Sequence, residues 1–214
     1  MVATKKQVFL YVEGGGDSDS LRTECRRAFS LFLLEVGFLG RMPRIVACGS
    51  RNDAYDRFVT ACSQSDKIPV LLVDSEALIP KECESSKDCK QWNPWLHLHA
   101  RDSWKQPENA TKQQCHLMVE CMENWFAADI AALKQYYGQG FNDKKIPDVT
   151  DIERIPKNAI FQALDEATKN TKTKGKYSKG AHSFDLLSAI DSKLVIAKSK
   201  WAMRFIECLK EFLV

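Results

Sequence analysis

The chain has no long apolar run, no cysteine pair at knuckle spacing and no strong charge of either sign. A membrane-spanning helix needs about 18 or more nearly uncharged apolar residues, and no stretch approaches that, so no membrane partner is expected. Cys83 and Cys89, followed by His97 and His99, match no usual zinc spacing, so zinc is not expected there. Lys plus Arg number 31 against 28 Asp plus Glu, and the net charge of +3 neither requires nor excludes a nucleic-acid partner. Repeats and low-complexity tracts are absent. So is a signal-peptide pattern, because the polar start MVATKK leads directly into a strand-like run. The eight cysteines are therefore expected as thiols in a reducing cytoplasm, with Cys25, Cys62, Cys121 and Cys208 packed as small hydrophobes on helix faces.

What is present suffices for a core. The 214 residues are 44% hydrophobic and 28% charged, which fits one large domain, or one domain plus a helical extension, without long disorder. Residues 7–12 (QVFLYV), 44–48 (RIVAC), 68–73 (IPVLLV) and 115–119 (CHLMV) read as strands. The third is apolar almost without alternation, as in a parallel sheet covered on both faces. Helices are predicted over 19–37, with Asp17 or Ser18 as cap, and after a cap at Asn52. Others are predicted over 122–136, 158–167, 183–190 and 199–213. The order β-α-β-α-β gives an α/β class with a mostly parallel sheet flanked by helices and a helical C-terminal extension. Residues 75–112 carry Trp92, Trp95 and Trp104 and read as a long excursion with one short helix, packed on the domain.

The chemistry concentrates at strand ends, where open α/β sheets form their sites. Glu13 ends the first strand, Asp74 and Glu76 the third, and Glu120 the fourth, with Glu123 just beyond it. Converging carboxylates repel and call for a cation, and oxygen ligands suit Mg²⁺ or Mn²⁺. Each acid also has a plainer reading: Glu13 and Asp74 as caps, Glu120 and Glu123 as solvated acids, Asp129 as structural. The turn Gly14-Gly15-Gly16-Asp17 is neither a dinucleotide fingerprint nor a P-loop, but its amides can hold a phosphate, and Asp17 is a further candidate ligand. Lys169, Lys172, Lys174, Lys176 and Lys179 form a basic loop. Arg51, Lys176 and His182 are candidate phosphate contacts, with His182 alternatively a water activator or a buried or capping group.

The motifs VEGGGD (12–17) and VDSE (73–76) resemble a Toprim domain, which places a glutamate after its first strand and a DxD pair after a later one. Glu13 and Asp74 match, and Glu76 stands where the second aspartate is usual, one methylene longer. The segments HLMVECMENWFAAD, KYSKGAHSFDLLSAID and AMRFIECL extend the resemblance to the DUF4276 family over nearly the whole chain. That group resembles the Toprim part of overcoming-lysogenization-defect nucleases, which are associated with phage-defence and mobile-element operons beside an ATPase. The resemblance implies Mg²⁺-dependent cleavage of DNA or RNA. It implies Glu13, Asp17, Asp74 and Glu76 as metal-site residues, Glu120 or Glu123 as an added ligand, and Lys179 as the transition-state lysine. It also implies a Toprim-like (Rossmann-like) catalytic core over 1–136, including an excursion at 77–112, with a helical region over 137–214 packed on it. A non-catalytic subunit that binds an ATPase or nucleic acid is the alternative, and a homo-oligomer is neither required nor excluded.

Overall fold

The computed structural model describes residues 6–213. Four strands, β1 (Gln7–Val12), β2 (Arg44–Ala47), β3 (Lys67–Asp74) and β4 (Cys115–Met118), form one all-parallel sheet in the order β2-β1-β3-β4. The chain leaves β1 through α1 (Asp19–Glu35) to β2 on one side, then returns through α2 (Arg51–Cys62) to β3 on the other. The connections therefore diverge between β1 and β3, the switch point at which such sheets leave a crevice beyond their strand ends.

Strand alternation divides the core in two. Val8, Leu10, Val12, Val70 and Leu72 face α1 and the later helices. Phe9, Tyr11, Leu71 and Val73 face α2 and the tryptophan-bearing excursion. The excursion is ordered: it carries α3 (Pro94–Asp102) and two 3₁₀ turns at Lys81–Glu84 and Cys89–Gln91, and it buries Trp92, Trp95 and Trp104. The later helices are α4 (Glu123–Phe126), α5 (Ile130–Tyr137), α6 (Lys157–Thr168), α7 (Ser183–Ala189), α8 (Ser192–Lys198) and α9 (Lys200–Phe212). Most of their buried apolar residues join the core that covers the first sheet face, while Trp201 of α9 packs in the second core.

Three expectations are corrected. Ser50, not Asn52, caps α2: its hydroxyl accepts from the Asp53 N–H at 3.1 Å. The helix expected over 122–136 is two helices, α4 and α5, because Asp129 accepts at 3.0 Å from Ala132 N and at 3.0 Å from Asp191 N. That carboxylate is structural, as its position suggested. Helix α8 was not foreseen; it starts on Asp191, which accepts from Lys193 N at 2.8 Å. All eight cysteines are free, and among the described residues no helix is long and apolar enough to cross a membrane.

Candidate metal centre

Glu13 comes directly after β1, and its N–H continues the parallel ladder to Leu72 O at 3.1 Å. Its carboxylate then turns across the switch point and accepts from the Asp74 N–H at 3.1 Å. Asp74 closes β3 and is buried, with its Oδ1 accepting from Met122 N at 2.9 Å. Two residues on, Glu76 sits at φ +66°, a left-handed conformation that a side chain seldom adopts. Its N–H is held by Glu120 O at 2.8 Å, and His97 on α3 donates from Nε2 to Ser75 O at 2.8 Å. The strained segment is thus fixed from both sides. The result brings one oxygen each of Glu13, Asp74 and Glu76 within 4.8 Å of one another.

Electrostatics show what this convergence costs. Burial pushes the Glu13 carboxyl above the usual range, against the Asp74 amide and Arg51. Asp74 is pushed well above it, by burial first and then by the charges of Glu13 and Glu123. Glu76 goes the other way: burial would raise it, but the Lys157 ammonium, 2.5 Å from its Oε2, wins and lowers it. The donor set is oxygen-only and anionic, so it fits a hard divalent cation such as Mg²⁺ or Mn²⁺.

The pH dependence has a definite sign. Glu13 and Asp74 hold protons in the folded chain at pH values where the unfolded chain has released them, so stability falls as pH rises through their folded values. In chelator, wild type should lose urea stability relative to a Glu13→Gln/Asp74→Asn double variant as pH rises from about 4, the ordinary carboxylate value. A wild type that gains on the double variant over that rise contradicts the assignment.

Other expected residues fall in different places. Gly14, Gly15 and Gly16 line the cavity beside the acids. Gly15 needs to be glycine: at φ +91° a Cβ would lie 2.9 Å from the Arg22 Cα. Asp17 is exposed and stands outside the group of three. Glu120 turns away to accept from Lys157 N at 2.8 Å, so its side chain positions the lysine that holds Glu76. Glu123 is fully buried in the wall of the same cavity as Glu13 and Asp74. Lys179 lines that cavity too; burial would lower its ammonium, but Glu123 and Asp74 outweigh it and hold the value above that of an ordinary lysine. Arg51 points inward, with Nε donating to Asp74 O at 2.8 Å, one terminal nitrogen 2.8 Å from Asp102 and the guanidinium 4.4 Å from the Trp104 ring. It is a positioning cation for the β3 end. Lys176 pairs with Asp165, and His182 accepts from Ser178 N at 3.3 Å and meets Tyr137 Oη at 3.2 Å, so neither lines the cavity.

Lys157 was missed by sequence reasoning. It lies 81 positions beyond Glu76 and belongs to no motif. One signal was available: a lysine at the first position of α6 opposes the helix dipole, a misfit that needs a nearby anion.

A family model described as a domain of unknown function, DUF4276, matches residues 12–210, and the chain belongs to that family. The match spans the C-terminal end of every strand and every side chain of the acidic group. No curated protein and no solved structure matches the chain.

Proposed function

We propose that the chain is a Mg²⁺- or Mn²⁺-dependent nuclease of Toprim type that cleaves phosphodiester bonds in DNA or RNA. The observation that carries this reading is the convergence of Glu13, Asp74 and Glu76 at the switch point of a parallel sheet. Those three carboxylates would hold the cation, with Asp17 a more distant candidate ligand. A bound divalent ion supplies charge neutralisation at the phosphoryl oxygens and a more acidic water. The chain's own contribution is positioning: Gly14, Gly15 and Gly16 border the cavity, Arg51 fixes the Asp74 backbone, and Lys179 brings positive charge to the rim. Lys157 competes with the cation for Glu76 and is the group that must yield. The basic loop offers phosphate contacts to a nucleic-acid strand. We assign the activity to the cytoplasm, within a phage-defence or mobile-element system with an ATPase partner, as the Toprim resemblance implies.

The test is cleavage of labelled DNA and RNA by the isolated chain with Mg²⁺ or Mn²⁺, with and without a candidate ATPase. Cleavage should stop in chelator and fall about 100-fold in Glu13→Gln, about 2.7 kcal/mol of transition-state stabilisation. The ion pair already made by Glu76 and Lys157 favours one competing reading, a non-catalytic subunit that keeps a closed, metal-free acidic site. Partner binding that survives Glu13→Gln, with no metal-dependent cleavage under any condition, would establish that reading instead.

A further inference from the structure

The cavity beside the acids is about 270 Å³, just below the small-ligand range of about 300 Å³ upward, and so suits one ring system. Leu21, Met118, Met122 and Phe184 form the apolar part of its lining, and Glu13, Asp74, Lys179 and Ser183 contribute polar groups. Glu123 is fully buried in the same lining. Its Oε1 accepts from the Tyr177 hydroxyl at 2.9 Å, while its Oε2 has no partner in the protein. A buried carboxylate oxygen without a donor is costly, and a carboxylate can only accept. The cavity therefore combines apolar walls, two of them polarisable methionines and one an aromatic ring, with an orphaned acceptor, and it adjoins Glu13 and Asp74.

We propose that this cavity receives an unstacked nucleobase next to the scissile phosphate, and that Glu123 selects guanine. The inference rests on the nuclease reading for its substrate class. Guanine presents two adjacent N–H donors, which a carboxylate can accept together; Oε2 is free and Oε1 keeps a second lone pair. Adenine and cytosine set a ring acceptor beside their amine, which would face a carboxylate oxygen, and a mispaired polar edge is rejected strongly. Extrusion of one base from a stack is the usual way to bring it into such a pocket.

The experiment is calorimetric titration of the metal-free full chain, wild type and Glu123→Gln, with guanosine, inosine, adenosine and cytidine, followed by Mn²⁺ titration of both proteins. Guanosine should bind wild type. Inosine, which lacks the 2-amino donor, should bind about 10–100-fold more weakly, the worth of one hydrogen bond to a charged group. Adenosine and cytidine should bind more weakly still. Glu123→Gln should lose the guanosine preference while binding Mn²⁺ like wild type. Equal binding of all four nucleosides, binding of none, or a preference that survives Glu123→Gln overturns the proposal. So does loss of a Mn²⁺ ion in Glu123→Gln, which would assign the carboxylate to a cation. Guanosine binding without any metal-dependent cleavage removes the nuclease reading and leaves the pocket; cleavage blind to base identity removes the pocket alone.

Discussion

Asp74→Asn is expected to reduce metal-dependent cleavage at least about 1,000-fold, about 4 kcal/mol, while making the metal-free chain more stable. The two effects have one cause. Asp74 is buried with Glu13 and Glu123 nearby, and burial and their charges both oppose its ionisation. An asparagine keeps an oxygen to accept from Met122 N, the 2.9 Å bond made by Oδ1, so the local backbone is retained. It removes the charge, and with it both the repulsion and the anionic ligand. Relief of that repulsion is expected to stabilise the metal-free variant in chelator by about 0.5–2 kcal/mol, the usual size of a single stabilising substitution. Thermal melts with chelator and with Mn²⁺ measure both halves: wild type should rise on adding the ion, and the variant should start higher and stay put. A variant that melts below wild type in chelator would mean that the folded chain already satisfies the Asp74 charge, and the site would need no cation.

Much of this site was readable because strands and their ends are local. An apolar run of five residues, 8–12, closed by Glu13 and three glycines, marks both the end of β1 and the turn after it. The same holds for Asp74 at the end of a run with no polar interruption. The parallel register that brings the two acids together comes from helices lying between strands. The cross-chain part was not readable. Nothing near Glu76 announces Lys157 or Arg101 as its partners, because those contacts exist only once α6 and α3 have docked. Glu120 and Glu123 were indistinguishable as two acids three positions apart; one reaches outward to cap α6 and the other is fully buried in the cavity wall. The single helix expected over 122–136 failed because Asp129 is compatible with a helix by propensity, yet here it caps α5 and accepts from the start of α8. Ser50 and Asn52 are both good caps, and the chain geometry after β2 decides between them.

The largest stability effect belongs to a residue that the periodic pattern of α9 would assign to core packing. Arg204 lies on the buried face of that helix among Trp201, Phe205 and Cys208, and it is fully buried. Its five N–H groups meet five acceptors: Cys89 O at 2.9 Å, Cys115 O at 2.8 Å, His116 Nδ1 at 2.9 Å, Trp92 O at 3.1 Å and Lys112 O at 2.7 Å. Because a guanidinium cannot accept, His116 must offer a bare Nδ1, and burial followed by the Arg204 charge holds its imidazole well below the usual histidine range. The one side chain thereby ties the excursion, the start of β4 and the last helix together. Arg204→Ala leaves four carbonyls and an imidazole without a donor, at about 1–3 kcal/mol for each group that water cannot reach, so a loss of at least about 4 kcal/mol is expected. Arg204→Lys should recover only a small part, since an ammonium cannot reproduce the planar fork. Urea denaturation gives the magnitude, and hydrogen exchange gives the location: amides of the 81–104 segment should lose protection first in Arg204→Lys, ahead of β1 and β3. An Arg204→Ala chain within about 1 kcal/mol of wild type would show that water replaces the guanidinium and that the excursion is held by its tryptophans alone.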